Sequence, residues 1–437
     1  MRFPAALVIL IILLSAAILA ENPSKGVAPS PAESVTVPIA LDQGRVVIDV
    51  DLLLPGGSTE RVRGWVDNGN PDLCINQRVA NLLGLSVSCD GQICSGTPKS
   101  PDVSLEISVG GMKIALLQAG DGIAGDKIAG EKIKPIKIPA GAPAIGPGMS
   151  AEINIPSSVL RKYDVIVNFP DRELTIGLPG HLKFDGVKSK MLVKADGLIQ
   201  IPSRIENKNY DLGFDLGSSV NVLSEELFDK LSSAHPDWPH MTGAVGPFNR
   251  GEMGNETTWK LMRVDRVQYG PLFLTDVAVT EPPKNAISRF EAHPESSAAG
   301  LLSSEALLNY RVGLDYAHYT VYFEIARTVK LPDFDVVGLI LRPEDDSGFT
   351  IAGVADFDGQ PSVAGVQAGD HLVAVNDNPV ADFTLGQVWS LLQGSPGQER
   401  KLTVARAGKQ FTVVAKVQHF LGETPPSNDA KGKSKKN

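Results

Sequence analysis

From Val35 onward, apolar and polar positions alternate in short runs rich in Val, Ile and Leu, the pattern of β-strands. Val46–Leu54 reads as a strand, Pro55-Gly56-Gly57 as a turn, and Arg61–Val66 as a second strand running into Asp67. An Asp-Asn-Gly turn follows, then a Val79/Leu82/Leu83 stripe at helical spacing. The same order returns later: Gly197–Ile205, an Asn207-Lys208-Asn209 turn, Tyr210–Phe214, Asp215 in Asp-Leu-Gly-Ser, and a Leu227/Leu231 stripe.

The two stretches superimpose at a shift of 148 (215 − 67). Asp67 then falls on Asp215, Gly69 on Gly217, Ile75 on Leu223, and the helix-start residues Asn76 and Ser224 coincide. Farther along, Tyr163–Phe169 lies over Tyr310–Tyr316 at a shift of 147 (310 − 163), and Glu173–Ile176 lies over Thr320–Phe323. Both read as hairpins. Residues 35–180 and 190–328 are therefore expected to be duplicated β-rich lobes. Each carries a Gly-rich segment, Ala119–Gly130 with Ala140–Gly148 in the first and Gly243–Gly254 in the second. Such segments suit either flaps over a cleft or surface loops.

The 437 residues leave room for a further domain, and 43% hydrophobic with 21% charged residues is ordinary for a globular chain. A net charge of −9, with no basic stripe before the last few residues, argues against a nucleic-acid partner. Arg2 precedes an apolar run from Phe3 to Leu19 that ends in small residues. Residues 1–20 read as a signal peptide cleaved after Ala17 or Ala20, or as an uncleaved membrane anchor; both imply export, to the periplasm or beyond. Residues 21–34 form a polar linker, and 424–437 a lysine-rich tail. Cys74 reads as a small core residue, whereas Cys89 and Cys94 flank an Asp-Gly turn and are the plausible disulfide in an exported protein. The seven histidines show no metal-ligand spacing, so neither metal nor cofactor is expected.

Two equivalent Asp-x-Gly turns can bring two carboxylates together across a pseudo-two-fold axis. Carboxylates about 3 Å apart share one proton, so one can take a proton from water while the other polarises a carbonyl. This pattern resembles the retropepsin-like and pepsin-like aspartic proteases, a mainly β fold of duplicated barrel lobes. The resemblance makes Asp67 and Asp215 the catalytic pair. It makes Asn68, Gly69, Leu216, Gly217 and Ser218 their supporting loops, and Ala144-Ile145-Gly146 and Ala299-Gly300-Leu301-Leu302 the segments behind those loops. The family places a Thr or Ser after each Asp, and the two hydroxyls bond across the lobes. Here those positions hold Asn68 and Leu216.

Beyond the repeat, Ala364-Gly365-Val366, Gly369-Asp370 and Val375-Asn376-Asp377 resemble a circularly permuted PDZ domain of the kind appended to bacterial proteases, over residues 333–417. The resemblance implies that Val337, Gly338, Leu339 and Ile340 form a loop capturing a peptide C-terminus. It makes Thr384–Gln393 the helix on the groove's other side; Val388 and Trp389 read either as groove residues or, the favoured reading, as core. The expectation is an exported aspartic endopeptidase whose PDZ domain recruits polypeptide. The alternative is a weak or inactive protease-fold protein that binds peptides.

Overall fold

In each lobe two long antiparallel strands deliver the repeated Asp. Arg45–Leu53 pairs with Thr59–Asp67, and Ile199–Ile205 pairs with Lys208–Asp215. From Ile48 to Leu52 every second side chain is buried and Asp49 between them is exposed, which fixes the face that meets the core. The computed structural model describes residues 32–90, 93–97, 105–117, 136–139, 151–194, 198–218, 220–250, 256–281, 299–327, 333–344 and 348–425. The Phe3–Leu19 run lies outside them, as do Ala119–Gly130 and Ala140–Gly148 apart from what surrounds them. Among the described residues no helix is long and apolar enough to cross a membrane.

After each Asp a short strand or bridge leads into a capped helix. Asn76 accepts the Val79 N–H at 2.9 Å ahead of helix Gln77–Leu82, and Ser224 accepts the Leu227 N–H at 3.3 Å ahead of Glu225–Ala234. A parallel strand backs each Asp strand: Ile153–Pro156 beside Gly64–Asp67, and Gly300–Ser303 beside Gly213–Asp215. In the first lobe this role therefore belongs to Ile153–Pro156, which begins seven residues (153 − 146) beyond the expected Ala144-Ile145-Gly146, a segment outside the described residues.

The closing hairpins of the two lobes join into one six-stranded antiparallel sheet. Asp164–Asn168 and Tyr310–Asp315 lie side by side at its centre, with Ile166 opposite Gly313. Those residues are 147 apart (313 − 166), the shift of the repeat, so the pseudo-two-fold axis passes through this pair. The Ser34–Pro38 strand completes one edge and Val187–Lys190 the other.

The C-terminal domain has a five-stranded path, Leu339–Pro343, Phe349–Val354, His371–Val375, Glu399–Arg406 and Lys409–Lys416. Its helix Leu385–Leu392 starts with a capping box between Thr384 and Gln387. Val388 and Trp389 are buried. The domain runs past residue 417: Gln418–His419 pairs with Asp335–Val336, and Phe420 and Leu421 are buried. Thr424, expected in a solvated tail, donates its N–H to Asp276 of the second lobe at 2.8 Å. The domain also shares a core. Val220, Ala244, Val245, Phe248, Trp259, Leu261 and Ala278 of the second lobe belong to one buried cluster with Leu339, Leu341, Leu385, Val388 and Leu392. Burying each such large side chain stabilises by about 1.5–3 kcal/mol, so the domain and the lobe are energetically joined.

Candidate active site

Asp67 and Asp215 end their strands at the lobe boundary, 3% and 7% exposed. Each lies against the glycine turn of the opposite lobe. A Cβ on Gly69 would stand 2.4 Å from the Asp215 carboxyl carbon, and a Cβ on Gly217 would stand 2.5 Å from Asp67 Oδ1. Only glycine leaves room for the crossed arrangement, which is the physical reason for Gly two positions after each Asp. Asp215 Oδ1 accepts the Gly217 N–H at 2.7 Å, and Asp215 also accepts from the Gly69 backbone across the boundary.

The first lobe adds a residue that the sequence reading did not single out. Asn154, fully buried on the strand behind Asp67, donates Nδ2 to Asp67 Oδ2 at 3.0 Å. Its Oδ1 accepts the Cys74 N–H at 2.7 Å and its Nδ2 also reaches the Asp72 carbonyl at 3.0 Å, so the amide is locked in orientation. Carrying the 147 shift back from Leu301 lands on Asn154, and that was the available signal. Cys74 is half-buried rather than a core residue, because the chain bridges to the sheet at Ile75, and Asn70 Nδ2 donates to its Sγ at 3.6 Å. The backbones of Cys89 and Cys94 are directly opposite in a hairpin; their side chains lie outside the described residues.

The position after Asp67 works across the boundary. Asn68 Nδ2 donates to the Phe214 carbonyl at 2.8 Å, and Asn68 Oδ1 accepts the Leu216 N–H at 2.6 Å. One amide thus both donates and accepts where a hydroxyl would. Leu216 is fully buried among apolar neighbours and makes no such side-chain bond. Ser218 turns to its own loop, donating to the Val220 carbonyl at 2.9 Å.

Burial raises the pKa of both acids. Asp67 is held well above the ordinary carboxyl range, by burial first and by the Asp215 charge second. Asp215 rises as well, but the N–H groups of Gly217 and Gly69 and the guanidinium groups of Arg250 and Arg45 oppose the shift. Both carboxyls therefore favour protonation more than a free carboxyl does. Arg45 is itself fully buried, stacked over Trp65 at 5.7 Å.

In the C-terminal domain, Val337, Gly338, Leu339 and Ile340 are all buried. The Val337 N–H donates to the Leu392 carbonyl at 3.1 Å and the Leu339 N–H to the Val337 carbonyl at 2.8 Å. Phe420 and Ser362 close over Gly338. Two of the N–H groups expected to capture a carboxylate are therefore engaged within the chain. Among the described residues Asp333, Asp335 and His419 come close enough together to hold a cation, yet Asp333 pairs with Arg263 and Asp335 with His419.

Residues 362–406 match the family model of the PDZ domain. A search of curated proteins found no match. Solved structures similar to parts of the chain include the following three. The photosystem II D1 C-terminal processing protease has a TM-score of 0.18 and 23% identity, over 20% of this chain and 23% of that one. The aspartic proteinase from Irpex lacteus has a TM-score of 0.37 and 12% identity, over 67% and 97%. Basic 7S globulin from soybean has a TM-score of 0.37 and 12% identity, over 68% and 96%. The chain thus carries a C-terminal PDZ domain behind a mainly β body of two duplicated lobes.

Proposed function

We propose that the chain is an exported aspartic endopeptidase whose PDZ domain recruits polypeptide. The observation that carries this reading is the crossed pair, Asp67 against Gly217 and Asp215 against Gly69. Ionised Asp215 would take a proton from a water whose oxygen attacks the scissile carbonyl, while Asp67 gives its proton to the carbonyl oxygen. As the tetrahedral intermediate collapses, the proton on Asp215 passes to the leaving nitrogen and Asp67 regains its own. No metal or cofactor enters. The apolar run at Phe3–Leu19 supports export, and the PDZ family match supports peptide binding.

A second reading, a peptide-binding protein with little or no turnover, is favoured by Leu216, whose buried side chain cannot make the cross-lobe bond of a hydroxyl. The deciding experiment compares cleavage of an unfolded protein by the wild type and by Asp215→Asn, across acid and neutral pH. Cleavage by the wild type alone supports the endopeptidase. Absence of cleavage by both leaves the binding protein.

A further inference from the structure

The Leu339–Pro343 strand is an edge strand of the PDZ sheet, and with the Leu385–Leu392 helix it bounds the groove where such domains add a peptide strand. That groove is already filled from within the chain. Asn249 of the second lobe, fully buried, accepts the Leu341 N–H on Oδ1 at 2.7 Å and donates Nδ2 to the Leu341 carbonyl at 2.9 Å. One side-chain amide thus occupies both groups of an edge position that an added strand would pair through its main chain. The turn Gly246–Phe248 packs on the helix, and Phe248 meets Phe334 in a tilted contact with ring centroids 5.4 Å apart. Ala244, Val245 and Phe248 lie in one buried cluster with Leu339, Leu341, Val388 and Leu392.

The first lobe braces the same arrangement. Gln43 donates to the Asn249 carbonyl, and Asp42 Oδ1 accepts from Thr384 Oγ1 at the helix start at 3.1 Å. The segment expected as a flap or surface loop, from Gly243, is therefore docked in the groove as far as Asn249.

We propose that Ala244–Asn249 is a built-in ligand of the PDZ groove, which a polypeptide must displace in order to bind. The proposal rests on the peptide-binding reading of the PDZ domain, and it does not depend on cleavage. A receptor whose competent state is a minor fraction binds with its affinity reduced by that fraction. Arg250, next in the chain, is near enough to influence Asp215, so release of the segment would be felt at the dyad.

The test uses the full chain as wild type, Asn249→Ala and Asn249→Asp. The Asp variant keeps the acceptor and the size of the side chain while losing the donors to Leu341 and to Glu256, and a melting curve of each protein shows that it is folded before binding is read. The probe is a pool of short fluorescein-labelled peptides with free C-terminal Val, Leu, Ile, Phe or Ala, and hydrogen exchange at the Leu341 amide is followed in parallel. The expected result is about tenfold tighter peptide binding by the variants, the worth of one or two buried hydrogen bonds. In the wild type, saturating peptide should speed exchange within 244–249. Equal affinity for all three proteins, with Leu341 equally protected, overturns the proposal and leaves the PDZ reading standing. Binding by none of them, with faster Leu341 exchange in the variants, overturns the peptide-binding reading and the proposal with it.

Discussion

Asn68 Oδ1 accepts the Leu216 N–H at 2.6 Å across the lobe boundary, and the two residues occupy equivalent places in the repeat, 148 apart. The halves therefore touch at their own counterparts, and the bond is one-sided because only Asn68 brings a polar side chain to it. Asn68→Ala would leave the buried Leu216 N–H and Phe214 carbonyl without this partner. An unsatisfied buried group costs about 1–3 kcal/mol, so for the two groups a loss of about 2–6 kcal/mol is expected in urea unfolding. A loss below about 1 kcal/mol would mean the two groups find water instead.

How much of this was legible in the sequence depended on whether the signal was local or repeated. The strands leading to Asp67 and Asp215 were readable from alternation and turn residues, and the helix starts at Asn76 and Ser224 from capping chemistry. The central hairpins were readable because Tyr163–Phe169 repeats as Tyr310–Tyr316. The strand behind Asp67 lies later than Ala144-Ile145-Gly146, and Ile153-Asn154-Ile155-Pro156 contains no glycine to mark it. Nothing local marks Asn249 as a partner of Leu341. That bond spans 92 residues between parts of the chain that do not repeat each other, and only the folded arrangement brings them together.

Asp67 holds its proton above the ordinary carboxyl range in the folded protein, while the unfolded chain releases it near about pH 3.9. Its contribution to stability is complete below that value and is lost as pH rises through the raised folded value. Asp67→Asn removes the penalty, so its melting temperature should exceed that of the wild type by more at neutral than at acid pH. A gap that does not widen with pH would show that Asp67 ionises freely in the fold.

Glu305 is the second acid to watch. It lines a cavity of about 280 Å³ between the two lobes and the PDZ helix, with Leu41, Phe169, Leu308 and Trp389. Burial of its carboxyl pushes its pKa to about 8, and Oε2 has no hydrogen-bond partner among the described residues. The folded state therefore favours the protonated form. That stabilisation is present below the ordinary value of 4.5 and disappears as pH rises through about 8. Glu305→Gln should flatten the decline in melting temperature over this window. A wild type and variant that decline in parallel would place the ionisation elsewhere.

The Asp370–Arg406 pair reports on the PDZ domain with the opposite sign. Arg406 donates to both Asp370 oxygens, at 2.6 and 2.7 Å, and Asp370 also accepts the Gln367 N–H at 2.9 Å. Those bonds hold the Asp370 carboxyl below its usual range, so the stability they add is present above about pH 3.9 and falls away in acid. Asp370→Asn should cost about 1.5–3 kcal/mol at neutral pH, the range for a hydrogen bond to a charged group, and nothing in strong acid. Because the PDZ and second-lobe cores are continuous, one transition rather than two should shift. Two separate transitions would show that the shared cluster does not couple them.

The last prediction concerns turnover. Since Asn68 already bonds both Phe214 and Leu216, the half of the cross-lobe contact that is missing is the one Leu216 would make toward the first lobe. Leu216→Thr alone should then raise the cleavage rate of an unfolded substrate, and adding Asn68→Thr should bring no further gain. The substitution also buries a hydroxyl and loses apolar volume at a fully buried site. A stability loss of about 1–3 kcal/mol should accompany it, so rates are to be compared below the lowered melting temperature. A faster L216T enzyme that loses all activity on adding Asp215→Asn would assign the limitation to the positioning of the pair. Turnover unchanged in L216T, with the wild type measurably active, would show that one amide positions the carboxylates as well as two hydroxyls do. A wild type and L216T that are both inert on unfolded substrates would remove the endopeptidase reading and leave the lobes as a peptide cleft.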